Sequence, residues 1–204
     1  MPALFLIKHA LPAIDPSVPA KEWLLGDEGQ RQAQLLAKSL DPQPEIVVSS
    51  TEPKAIETSQ RIAEAAQAFL LAPDPDLCEH DRSETGFLSK EAFRESVALF
   101  FRQPHQLVFG SETADAAHAR FATAVERHCA DHRHAHIAIV CHGTVMSLWA
   151  SRRTGCNPFA LWNALQLPAW IATQHPAFDT LTIFPRLAVD GPSQPWQPPP
   201  ASSP

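Results

Sequence analysis

Three short apolar runs do most to limit what this chain can fold into: Leu4-Phe5-Leu6-Ile7, Ile46-Val47-Val48 and Ile137-Ala138-Ile139-Val140-Cys141. Runs this short, bounded by polar or turn-forming residues, read as strands buried on both faces. Strands of that kind belong to the middle of α/β sheets. Between and after them, apolar residues recur at helical spacing, which predicts helices over 28–40, 53–69 and 89–102. A fourth opens at Ser111-Glu112-Thr113 and a fifth comes after the third strand. Two weaker strands are expected over 165–173 and 180–184.

The residues at the carboxyl end of each core strand say more than the strand itself. The first runs into Lys8-His9, the second into Ser49-Ser50 and then Lys54, the third into His142-Gly143-Thr144. Ligands of open α/β sheets bind just beyond the carboxyl ends of the strands. Taken singly, each residue has an ordinary structural reading. A histidine after a strand can be a satisfied structural residue, and Lys54 can be a solvated lysine. A cation in a first helical turn opposes the helix dipole, unless it shares an anion with the helix N–H groups. If the three strands are parallel neighbours, two histidines and two lysines meet at one sheet edge, beside two helix starts. That set makes an anion pocket suited to phosphoryl transfer, where positioning and charge neutralisation dominate.

The remaining features narrow the function classes. The 204 residues, 45 % of them hydrophobic, suit one large domain with a real core. The net charge of -6 gives no general attraction for nucleic acid or an anionic membrane, and no apolar run is long enough to span a bilayer. The N-terminus lacks the pattern of a signal peptide. Cys78, Cys129, Cys141 and Cys156 show no Cys-x-x-Cys pairing, so a cytoplasmic protein with reduced thiols is expected. His128 and His132 have i, i+4 metal spacing, but no second cluster completes a ligand set, and no metal or cofactor is expected. Residues 187–204 are Pro-rich and read as a disordered tail after a domain over 1–186.

Together the motifs resemble the histidine phosphatase superfamily, which includes cofactor-dependent phosphoglycerate mutases. Leu6-Ile7-Lys8-His9-Ala10 resembles its Arg-His-Gly signature. Gly29 and Gln32-Ala33 resemble the helix start next along the chain. Ser49-Ser50-x-x-x-Lys54-Ala55-x-x-Thr58 is similar to a Ser-Ser…Arg-Ala…Thr segment, and Leu77-x-Glu79 to a Leu-x-Glu. Gly110-Ser111-Glu112 loosely resembles a Gly-Glu-Ser, and Val140-Cys141-His142-Gly143 a Ser-His-Gly. The likeness covers about residues 3–175. It implies a phosphoglycerate mutase-like, three-layer α/β/α sandwich around a mostly parallel sheet.

It also implies a mechanism and a substrate class, a small phosphorylated compound. His9 would attack phosphorus and become a phosphohistidine. Lys8, Lys54 and His142 would neutralise the equatorial oxygens. Glu79 would protonate the leaving alkoxide, with Glu84 in reserve, and Arg82 is read as an ordinary loop charge. Both expected arginines are lysine here, which loses the two-pronged contact to phosphate. At roughly 1.5–3 kcal/mol per charge-assisted hydrogen bond, each exchange could cost about tenfold to a hundredfold. Ala10 stands where the family has glycine and is expected to narrow the pocket. A phosphomonoester hydrolase through phosphohistidine is the leading reading. The alternatives are a phosphoglycerate mutase-type transfer and a non-catalytic phosphate or phosphoprotein binder.

Overall fold

The computed structural model describes residues 1–82, 85, 88–188 and 192–197. The strands are β1 (Ala3–Lys8), β2 (Ile46–Ser49), β3 (Phe69–Leu70), β4 (Ile137–Cys141), β5 (Ala169–Gln174) and β6 (Thr182–Phe184). They form one sheet in the order β3-β2-β4-β1-β5-β6. The four strands from β3 to β1 are parallel, β5 runs antiparallel to β1, and β6 antiparallel to β5. The helices are α1 (Asp27–Ser39), α2 (Pro53–Ala66), α3 (Lys90–Arg102), α4 (Ala114–Asp131), α5 (Gly143–Thr154) and α6 (Pro158–Ala164). This is the expected α/β sandwich around a mostly parallel sheet.

Strand alternation sends side chains to opposite faces, and here both faces are covered. Leu4, Leu6, Ile137, Ile139 and Cys141 pack on one side with Phe121 and Val125 of α4 and Met146 and Trp149 of α5. Phe5, Ile7, Ala138 and Val140 pack on the other with Leu36 of α1 and Ile62 of α2. Every residue of β4 is buried, which is why its sequence is apolar without alternation. A smaller cluster joins Val97, Phe100 and Phe101 of α3 to Leu148, with Phe159 and Trp162 of α6 against it.

The differences from the sequence expectation are local. The second helix stops at Ala66, not near Phe69, because Gln67 adopts the left-handed conformation at φ 55°. Phe69 and Leu70 then pair with Ile46 and Val47 as an exposed edge strand. The strand expected from 165 starts at Ala169. Ahead of it lies α6, whose start is marked by an Asn157 cap that accepts from Ala160 N, and by Pro158 in the first turn. Asp27 is the first residue of α1 rather than its cap, which is Gly26. In the Pro-rich tail, Trp196 donates its backbone N–H to Ile183 O at 2.6 Å and packs against the core. Residues 198–204 lie outside the described residues. No helix among the described residues is long and apolar enough to cross a membrane.

Candidate active site

Register brings the candidate residues together. Lys8 lies opposite Cys141 on parallel β1 and β4, and Ser49 opposite Val140 on β2. The next residue of each chain segment is therefore His9, His142 and Ser50, all at one sheet edge. Backbone bonds carry the pairing one step further, from His9 N to Cys141 O at 3.1 Å and from Ser50 N to Val140 O at 3.0 Å. The His9 and His142 rings end 5.2 Å apart, centroid to centroid.

His9 is buried, and its Nδ1 donates to Ala10 O at 2.8 Å. That bond fixes the tautomer, so the neutral ring carries its free lone pair on Nε2. Burial first, then the fields of His142 and Lys54, hold its pKa well below the usual histidine value. The ring is thus uncharged at neutral pH. His142 has its Nε2 2.7 Å from Ser50 Oγ and 3.3 Å from Glu52 Oε1. Burial pushes its pKa down to about 3, with Lys54, Arg82 and Lys8 adding to the effect. It is therefore a neutral imidazole at neutral pH rather than a cation.

The two lysines differ in their attachments. Lys8 Nζ donates to Leu165 O at 2.8 Å and lies beside Gly143 at the start of α5. Burial lowers its pKa to about 8. Lys54 is 5 % exposed, and its Nζ bonds to Ala20 O at 2.6 Å and to Glu52 Oε2 at 2.5 Å. The cation at the helix start is thus tolerated through an internal carboxylate. Ala10 does not narrow the pocket. Its methyl is buried against Leu25 and Ala33, while its N–H donates to Thr58 Oγ1 at 3.1 Å.

Glu79 reaches the N-terminus of α5, which has no side-chain cap of its own. Its Oε2 accepts from Thr144 N at 3.1 Å, and its Oε1 from Val145 N at 3.3 Å and His80 N at 3.0 Å. Burial works to raise its pKa. His142, Arg82 and the backbone N–H groups outweigh that and bring it to about 2. Arg120 braces this loop, donating to the carbonyls of Asp76 (2.9 Å), Cys78 (3.0 Å) and Glu79 (3.3 Å) and pairing with Glu112 at 2.6 Å. Gly110-Ser111-Glu112 therefore contributes a strut for the Glu79 loop. Glu84 lies outside the described residues. Arg82 is more than a loop charge, because it stacks on Phe93 at 4.7 Å and its field reaches Glu79 and His142. His128 Nε2 is 2.8 Å from Asp74 Oδ2.

Two residues were missed by sequence reasoning. Arg120 gave no local signal, because its partners are backbone carbonyls far along the chain. Glu52 did leave one: an acid two residues before a buried-site lysine, at the mouth of a helix. Glu52, Glu79 and Arg82 line a cleft of about 1300 Å³, walled by residues 16–23 on one side and by Phe93 and Phe109 on the other.

The family model of the histidine phosphatase superfamily (branch 1) matches residues 16–173. The matched stretch takes in Lys54, Glu79 and His142 and begins after His9. Phosphoglycerate mutase-like protein 4 of Arabidopsis thaliana is 32 % identical over 130 residues, which is 60 % of this chain and 56 % of that protein. The match thus spans little more than half of that relative. Among solved structures, Bacillus stearothermophilus YhfR superposes with a TM-score of 0.71 at 18 % identity, over 95 % of this chain and 98 % of that one. A mycobacterial glucosyl-3-phosphoglycerate phosphatase gives 0.67 at 19 %, over 95 % and 100 %. The phosphoserine phosphatase of Entamoeba histolytica gives 0.66 at 18 %, over 84 % and 90 %. These structural likenesses are of fold.

Proposed function

The chain belongs to the histidine phosphatase superfamily, branch 1, and on that premise we propose that it is a phosphomonoester hydrolase acting through a phosphohistidine on a small phosphorylated substrate. The observation that carries this reading is the state of His9. Its Nδ1 is committed to Ala10 O, so Nε2 is left to attack; the ring centroid lies 5.2 Å from that of His142, within the fields of Lys54 and Lys8.

In the proposed reaction, His9 Nε2 forms a bond to phosphorus as the ester P–O bond breaks. Lys8, Lys54 and His142 surround the equatorial oxygens, and their positive or proton-donating ends face the charge of the transferring group. The Glu79 carboxylate is ionised before substrate arrives; the phosphate dianion raises its proton affinity, so Glu79 takes up one proton from solvent and hands it to the leaving alkoxide. Water then attacks the phosphohistidine, returns a proton to Glu79 and releases phosphate. Protein groups carry the neutralising charge, so the proposal calls for no metal or cofactor.

The test is release of p-nitrophenol from its phosphate ester by the wild type and by His9→Ala, with acid quenching to trap an acid-labile phosphoprotein. Loss of both signals in His9→Ala is expected; equal release by the two proteins overturns the reading. A mutase reading draws on one observation, the identity with a phosphoglycerate mutase-like protein. Interconversion of phosphoglycerate isomers without net phosphate release would establish it instead.

A further inference from the structure

The carboxylate of Glu52 stands where two of the proposed phosphate ligands meet. Its Oε2 is 2.5 Å from Lys54 Nζ, and its Oε1 is 3.3 Å from His142 Nε2. Oε1 also accepts from the backbone N–H of Glu79 at 3.2 Å. The side chain is only 13 % exposed, and what is exposed faces the cleft.

Those contacts leave little room for a second anion. An ammonium has three donors, and Lys54 gives one to Glu52 and one to Ala20 O. A neutral imidazole has one ring nitrogen on each side, and His142 turns Nε2 toward Ser50 and Glu52. The third Lys54 donor can still reach a phosphate, but the dianion would then lie against the Glu52 carboxylate, and full engagement of Lys54 and of His142 Nε2 takes both from that carboxylate.

We propose that Glu52 is an internal anion occupying the phosphate subsite, and that phosphate binds by displacing it from Lys54 and His142 as the Glu52 carboxyl takes up one proton. The inference rests on the phosphate pocket proposed above and adds a residue to it.

The proton uptake has an electrostatic cause. A displaced carboxylate would sit beside a dianion, buried, without its cation. Burial already pushes the Glu52 carboxyl up, Lys54 pulls it down, and Glu79 pushes it up again. Removing the Lys54 contribution and adding a dianion both act upward. The groups that face Glu52 are Lys54 on α2, Glu79 in the loop before α3 and His142 at the start of α5. Lys8, His9 and Arg82 act on the same pocket. Phosphate affinity should therefore weaken as pH rises, and the empty pocket should resist stray monoanions.

The experiment uses inorganic sulfate, a tetrahedral dianion that does not titrate between pH 6 and 8. Its dissociation constant is measured calorimetrically across that range for the wild type and Glu52→Gln. His9, His142 and Lys8 can also gain protons on binding, so the difference between the proteins reads Glu52. The wild type should bind at least about tenfold more weakly per pH unit, with that slope reduced by about one in Glu52→Gln. At pH 8 the variant should bind at least about tenfold more tightly. A measurement on the wild type alone, in two buffers of different ionisation heat, should show at least one proton taken up per sulfate. No proton uptake by the wild type, or equal slopes and affinities in the two proteins, overturns the role of Glu52 and leaves the pocket standing. Failure of both proteins to bind sulfate at any pH, with no His9-dependent hydrolysis, removes the pocket and this inference together.

Discussion

The His9 and His142 rings lie 5.2 Å apart, centroid to centroid, and tilted by 59°, because β1 and β4 are adjacent parallel strands with Lys8 registered on Cys141. A slip of one residue would turn one ring to the opposite face of the sheet. The site therefore depends on register first, and on the salt bridges and loop contacts around it second.

Acid should destabilise this protein from about the ordinary histidine pKa downward. His142 is held at about 3 in the fold and His9 well below 6.5, whereas both are ordinary when unfolded. Below pH 6.5 the unfolded chain therefore binds protons that the folded one refuses, and stability falls with falling pH. Glu79, at about 2 against a usual 4.5, adds a second loss below pH 4.5. Glu52, raised in the fold, acts in the opposite direction. Thermal melts from pH 8 to 4 should show a midpoint that declines below pH 6.5. His142→Asn should flatten that decline.

Lys54→Met should be costly for a reason beyond lost catalysis. It leaves Glu52 buried without its cation, and breaking one side of such a pair costs about 3–5 kcal/mol. The double variant Lys54→Met with Glu52→Gln should recover most of that loss in urea denaturation. Hydrolysis should stay at least about a hundredfold down in both, because the phosphate loses a charged ligand.

Gly29 is required by a close approach. A Cβ there would stand 2.1 Å from Leu11 O, the carbonyl of the segment leaving β1. Gly29→Ala must push α1 away from that segment, at a cost of about 1–3 kcal/mol or more. The same displacement moves the backbone two residues from His9, so a lower melting midpoint should come with a fall in kcat.

Arg120→Met should act on the reaction while touching none of its proposed groups. It removes the donors that hold the Asp76, Cys78 and Glu79 carbonyls and frees the Glu79 loop. A misplacement of that kind costs about ten- to hundredfold in rate. The expected signature is a reduced kcat with KM for an aryl phosphate little changed.

Much of the site was readable because its chemistry sits at the ends of apolar runs. His9, Lys54 and His142 each come after a core strand, and both histidines and Lys54 do converge. The sequence did not show where charges would settle. Lys8 turned to a backbone carbonyl, Glu79 to the N–H groups of α5, and Glu52 to Lys54. Such pairings depend on which polar groups the fold buries together, and no local pattern encodes that. Likewise the Ala10 methyl was expected in the pocket but lies against Leu25 and Ala33, because the chain turns toward α1 just after His9.

By itself, then, the amino-acid order determined the three core strands, their α/β arrangement and the family, because burial on both faces and residue type at a strand end are local properties. Tertiary structure alone decided the tautomer of His9, the neutrality of His142 and the presence of a carboxylate among the proposed phosphate ligands. Those are set by desolvation and by neighbours that meet only when parallel strands are placed side by side.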